Sequence, residues 1–259
     1  MLSHPVEVQR MPAEPHGRRY AFFDLDGTLL PWDTQLLFCD FALRRQAWRR
    51  FFLLPVVFVL PLKAVGWVSS RFVKRLFLGF LAGMSRAEVT ALAEEFAGCV
   101  VGRRIWPEMR AEIEARRRDG CVLVLNTASP RFYAEPIARR LGFAHCVGTE
   151  VELSERMPWI PVFPGPNNKR EAKVVAMRER GPLSPDTVLP LPGSWTYTDS
   201  SADLPLLACA EHGVLVDPRP SLAARAAELG WTILRPSPEV SRFRRILAAV
   251  AMFFGCWGS

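Results

Sequence analysis

The chain has no CxxC pair; its six cysteines (Cys39, Cys99, Cys121, Cys146, Cys209 and Cys256) lie far apart in mostly apolar surroundings. That spacing excludes a zinc-ribbon site, offers no disulfide framework and suits a reducing compartment. A signal-peptide core is missing too: residues 1–18 are mixed in charge and broken by prolines, and read as a flexible leader. The apolar run Phe51 to Leu62, FFLLPVVFVLPL, is twelve residues long and carries Pro55 and Pro61. It is short for a spanning helix and suits a buried, interfacial or re-entrant segment better. Also absent is any Asp or Glu from Phe41 to Ala87, where nine basic residues stand (Arg44, Arg45, Arg49, Arg50, Lys63, Arg71, Lys74, Arg75 and Arg86).

What is present bounds the answer. A length of 259 residues with 49% hydrophobic content can bury one sizeable core and an insert, and is incompatible with a disordered chain. The formal charge of +7 calls for an anionic partner: nucleic acid, a phosphorylated substrate or an anionic membrane surface. Because the arginines alternate with apolar runs rather than with polar and aromatic platforms, nucleic acid is disfavoured and lipid is the better anion. Basic residues flanking an apolar segment on both sides are expected when both ends stay on the cytoplasmic face of a membrane. The competing reading of 41–87 is a helical layer whose apolar face packs on the core or on a second copy, with the arginines as its solvated rim.

Apolar runs alternate with helical patterns along the rest of the chain. Tyr20 to Phe23 reads as a buried strand that stops at Asp24, Asp26, Gly27 and Thr28. Helical spacing follows from Thr34 to Arg50, and Ser85 with Glu88 forms a capping-box pattern ahead of another helix. Trp106 to Asp119 predicts a helix, Cys121 to Leu125 a strand ended by Asn126 to Pro130, and Phe132 to Leu141 a helix. Ala144 to Val151 reads as a strand and the proline-rich 152–167 as a loop. Asn168 with Glu171 suggests a helix start. A proline-broken connection, 183–194, precedes the strand Trp195 to Thr198, which stops at Asp199. The helix Leu204 to Cys209, strand Val214 to Val216, helix Leu222 to Leu229 and strand Trp231 to Leu234 complete the pattern. It predicts an α/β fold, a doubly wound, mostly parallel sheet with helices on both faces. Ligands of such sheets sit beyond the carboxyl ends of the strands, where Asp24, Thr127 and Asp199 stand and which Lys173 can reach.

Singly these residues are ambiguous. Asp-Gly is a common turn, Thr127 could cap a helix, Lys173 could be a surface lysine and DSSAD (199–203) a solvated loop. In combination, DLDGT, a Thr ending an apolar strand, a Lys early in a helix and then DSSAD resemble the haloacid dehalogenase superfamily of phosphohydrolases, in its phosphoserine-phosphatase-like branch. The resemblance covers Arg19 to Pro236. It implies a catalytic core at 19–33 and 115–236, a helical cap at 34–114 and a basic, apolar tail at 237–259. It further implies Asp24 as nucleophile, Asp26 as general acid and base, and magnesium held by Asp24, the backbone carbonyl of Asp26, and Asp199. Phosphate oxygens would be held by Lys173 and Thr127 with backbone amides near Leu25 and Ala128, and Asp203 would orient Lys173 or a metal-bound water. Lys173 is preferred to nearby Lys169 because AKVVAM matches the family's lysine followed by an apolar helix face. Asp at position 26 marks a phosphatase rather than a dehalogenase or a transport ATPase.

The insert LRRQAWRRFFLLPVVFVLPLKAVGW resembles the corresponding part of the membrane-associated phosphatidylglycerophosphatase C family. The leading expectation is therefore a phosphatase of a phosphorylated lipid, cytoplasmic and attached to the inner membrane surface through 41–87. Alternatives are a phosphatase of a small soluble phosphomonoester and an inactive, membrane-anchored binding protein. The tail RFRRILAAVAMFFGCWGS reads either as a second surface contact or as a final helix packed on the domain.

Overall fold

The computed structural model describes residues 17–257 except Glu239. The leader reading falls almost wholly on residues 1–16, which lie outside the described residues. β1 (Tyr20–Phe23) is central because all four of its residues are apolar or aromatic and buried. Beside it run β2 (Val122–Pro130) and β3 (His145–Thr149) on one side and β4 (Leu191–Thr198), β5 (Ala210–Val216) and β6 (Thr232–Leu234) on the other. All pairs are parallel, in the order β3-β2-β1-β4-β5-β6. Phe23 pairs with both Leu125 and Tyr197, so the residues after β1 emerge level with Asn126 and Thr198.

Alternation along β1 divides the core into two layers, as a period of two requires. Ala21 and Phe23 face α5 (Pro107–Arg118) and α6 (Arg131–Arg140), and Phe23 stacks on Tyr197 at 4.3 Å between ring centres. Tyr20 and Phe22 face α7 (Glu171–Glu179) and α8 (Leu204–Leu207) through Met177 and Leu206. Between β1 and β2 the chain is helical: α1 (Thr34–Arg45), α2 (Leu54–Ala64), α3 (Ser70–Phe77) and α4 (Arg86–Arg103) precede α5. α9 (Pro220–Glu228) joins β5 to β6. α10 (Arg242–Phe253) returns across the molecule to pack on α1 and α3, burying Ala248 and Met252 and stacking Phe253 on Phe77. The tail is thus a packed helix, although one of its faces stays in solvent.

Several boundaries differ from the sequence reading. α1 stops at Arg45, where Gln46 leaves the helical region and a 3-10 segment (Ala47–Leu53) takes over. β2 continues through Thr127 to Pro130 because its pairing with β3 resumes after a bulge, at Pro130 opposite Thr149. β4 begins at Leu191, inside the expected connection, since the Leu191 N–H donates to the Cys209 carbonyl at 2.9 Å. The Ser85 capping box forms with both reciprocal bonds. Asn168 does not cap α7; its amide is buried and donates to Asn126 Oδ1 and to the carbonyls of Thr127 and Val147. No described helix is long and apolar enough to cross a membrane.

Candidate active site

The strand order reverses between β1 and β4, and Asp24 and Asp199 follow those two strands directly. The crevice at such a switch point is left open by the helices diverging to opposite faces. A cleft of about 1000 Å³ occupies it, with Asp24, Asp26, Lys173, Asp199 and Asp203 in its lining.

Lys173 ties this floor together. Its side chain is 1% exposed, and Nζ donates to Asp24 Oδ1 at 2.7 Å and Asp203 Oδ2 at 2.6 Å. Asp203 Oδ2 also accepts the Thr198 hydroxyl at 2.9 Å. Burial alone would lower the Lys173 pKa, but Asp24 and Asp203 outweigh it and hold the ammonium above its ordinary value. Lys169 precedes α7 and stays exposed on the cleft wall.

The second acid is held from two sides. Asp26 Oδ1 accepts the Thr34 N–H at 2.7 Å, and Oδ2 accepts the Ser129 hydroxyl at 2.5 Å. Burial pushes Asp26 up to about 6, with Asp33 adding to the shift and the bonds from Ser129 and Thr34 opposing it. Burial also pushes Asp24 up to about 7 against the pull of Lys173, and Asp199 up to about 7 with Asp24 and Asp203 adding. These carboxylates are short of positive charge.

That deficit bears on a metal. Among the described residues no group of three or more His, Cys, Asp or Glu side chains could hold a metal ion by itself. The expected magnesium set needs only the Asp24 and Asp199 carboxylates together with the carbonyl of Asp26. Gly27 lets them converge: its φ is +78°, and a Cβ there would meet Asp199 Oδ2 at 2.5 Å. The Asp199 carboxylate can therefore close onto the backbone that follows Asp26. Oxygen donors, excess negative charge and an open side fit a hard divalent cation that retains water ligands.

The remaining expected residues are distributed less simply. Ala128 lines the cleft, whereas Thr127 and Leu25 are wholly buried and outside its lining. Thr127 Oγ1 accepts the Ser129 N–H at 3.0 Å. Three contributors escaped the sequence reading as site residues. Ser129 lay within the hydroxyl-bearing turn and holds Asp26. Lys74, on α3, donates to the Ala128 carbonyl at 2.6 Å and Asn167 Oδ1 at 2.9 Å, and burial lowers its pKa. Asn126 Nδ2 donates to the Lys173 carbonyl at 3.1 Å, so with Asn168 it links β2, β3 and α7. None of the three stood apart in the sequence: Lys74 lies beside Arg75 and one turn from Arg71.

Comparison with known proteins agrees with this geometry. A probable phosphatase of Mycobacterium tuberculosis is 29% identical, with 95% of this chain and 87% of the relative covered. Phosphoserine phosphatase SerB1 of the same organism is 28% identical, over 82% of this chain and 69% of its own length. Among solved structures, a protein of unknown function from Bordetella pertussis matches with a TM-score of 0.69 at 29% identity, over 84% of this chain and 98% of that one. A probable phosphoserine phosphatase from Vibrio cholerae shares the fold, with a TM-score of 0.58 at 14% identity, over 92% of this chain and 65% of that one. The family model for haloacid dehalogenase-like hydrolases matches residues 21–208, most of the sequence, and the chain belongs to that family.

Proposed function

We propose that this hydrolase is a magnesium-dependent phosphatase that cleaves a phosphomonoester through an aspartyl-phosphate on Asp24. The observation that carries the reading is the Asp24–Lys173–Asp203 array at the switch point, with Asp26 held two residues beyond the nucleophile. Asp24 attacks phosphorus and the bond to the leaving oxygen breaks, which divides one difficult hydrolysis into two easier steps. Asp26 gives its proton to the departing alcohol and then takes one from the water that cleaves the intermediate. A pKa near 6 suits both duties. Lys173 and Thr127, with amides near Leu25 and Ala128, hold the phosphate oxygens, and Asp203 keeps Lys173 oriented. Asp24, Asp199 and the Asp26 carbonyl would hold magnesium, which would supply the charge that lets an anionic substrate approach a carboxylate.

Residues 34–114, apart from the part of α5 that packs against β1, act as a cap over this core and carry the specificity. The favoured substrate is a phosphorylated lipid such as phosphatidylglycerol phosphate, handled from the cytoplasmic side of the inner membrane surface. Support comes from α2, whose eleven residues LPVVFVLPLKA bury only Val56 although the helix borders the cleft. A small soluble phosphomonoester is the second reading, favoured by the similarity to phosphoserine phosphatase SerB1. Phosphate release from phosphatidylglycerol phosphate in detergent micelles and from phosphoserine ranks the two. We expect the lipid to react faster; faster release from phosphoserine selects the second reading. Asp24→Asn should abolish release from both, a loss of at least about a thousandfold. An Asp24→Asn enzyme as active as its parent sinks the mechanism.

A further inference from the structure

Two helices far apart in sequence both reach the wall of the cleft. Val57 and Leu60 of α2 line it, as do Val250 and Phe254 at the end of α10. All four are also exposed large hydrophobic residues, so each lip continues from the cleft wall onto the outer surface. Beyond the cleft the same helices present more apolar surface: Phe58 is 75% exposed and Trp67, just after α2, 81%, while Phe243 and Ile246 on α10 are 70% and 63% exposed. Such a concentration is costly in water and marks a contact surface.

We propose that α2 and α10 together form one bipartite docking surface for an anionic phospholipid bilayer, with the cleft that both line opening toward the bilayer. Three observations select this occupant. Charge is the first: no Asp or Glu occurs from Phe41 to Ala87 or from Val240 to Ser259, and both segments carry arginine or lysine. Lys63 lies on the cleft wall and Arg244 is exposed on α10. Anionic head groups attract such residues, whereas a second copy related by a two-fold axis would bring the same basic patch against itself. Shape is the second. α2 is apolar around nearly its whole circumference and buries one residue, which suits a fluid that wets every side better than a protein partner that covers one face. Length is the third. Eleven residues span about 16 Å at 1.5 Å each, roughly half a bilayer's hydrocarbon thickness, so α2 lies in the interface or dips into it. Only the identity of the cleft's occupant rests on the lipid-phosphatase reading; adhesion to a bilayer is measured without turnover.

The test uses the full chain carrying Asp24→Asn, sedimented with vesicles of phosphatidylcholine alone or mixed with phosphatidylglycerol. Binding is expected to the mixed vesicles and to fall with added salt. On that background, Phe58→Glu with Trp67→Glu, and separately Phe243→Glu with Ile246→Glu, should each weaken binding by at least about tenfold. In the active enzyme the same pairs should leave release from p-nitrophenyl phosphate within about twofold, because they lie outside the cleft lining. Sensitivity at α2 alone would overturn the bipartite surface. No vesicle binding, or a change of oligomeric state in gel filtration without it, would overturn the bilayer. Failure to bind vesicles with phosphate release intact leaves the phosphatase reading standing; binding without release of phosphate from any substrate sinks that reading and spares the docking surface.

Discussion

The floor and the lips of the cleft break the ordinary rule of protein interiors in opposite senses. At the floor, charges are buried: Lys173, Asp24 and Asp203 are almost wholly withdrawn from water. On the lips, apolar side chains are exposed along α2 and α10. Buried charge persists only where partners satisfy it, and here the Lys173 ammonium is held by Asp24 and Asp203. Exposed apolar surface costs free energy in water and is expected where another phase or molecule covers it. On the reading proposed above they separate two tasks: bond cleavage belongs to the strand ends, and the choice of what is cleaved belongs to the helices above.

The largest effect should come from breaking the floor. Lys173→Met leaves two buried carboxylates without their cation and should cost about 3–5 kcal/mol of stability, read as a lower urea midpoint. Lip substitutions at Phe58 or Ile246 should shift that midpoint little. If Lys173→Met matched the parent in stability, the buried array would not be what holds the strand ends together.

A smaller loss is expected at Gly27. Its φ of +78° and the 2.5 Å approach to Asp199 mean that Gly27→Ala must strain the backbone and displace the carboxylate. About 1–3 kcal/mol of stability should be lost, along with a weaker response to magnesium in thermal melts. An unchanged magnesium response would separate Asp199 from the metal.

The third test is the pH dependence of the floor. Asp24 and Asp199 rise from 3.8 to about 7 and Asp26 to about 6 in the folded chain. Between about pH 4 and 7 the folded state therefore binds more protons than the unfolded one, and the stability conferred by these protons is lost as pH rises through that window. In EDTA the Tm should fall from pH 5 toward pH 7 and then level off. Magnesium competes with the same protons, so it should raise Tm more at pH 8 than at pH 5. A metal-free Tm that climbs across this window would contradict the charge deficit at the floor.

Much of this was legible in the residues. Strand and helix alternation gave the layered α/β arrangement because apolar periodicity is local, and it placed Asp24 and Asp199 at strand ends. Boundaries such as the end of β2 and the start of β4 were less legible, since pairing with β3 and β5 settles them and those partners lie elsewhere in the chain. Ser129 shows the same limit at the site: as one hydroxyl of several in NTASP, only its 2.5 Å bond to Asp26 distinguishes it.

By itself, the sequence determined the motif order, the parallel sheet, the family resemblance and the acid-free, apolar character of 41–87. Tertiary structure alone decided that Lys173 rather than Lys169 reaches Asp24 and Asp203, because α7 begins just beyond Lys169 and its phase carries Lys173 inward. It also brought Lys74 from the helical insert to the cleft, and α10 from the far end of the chain to the same cleft as α2. Periodicity reports which face of an element is apolar. Which element that face will meet, and what a long side chain can reach, depend on packing between segments well separated in the chain.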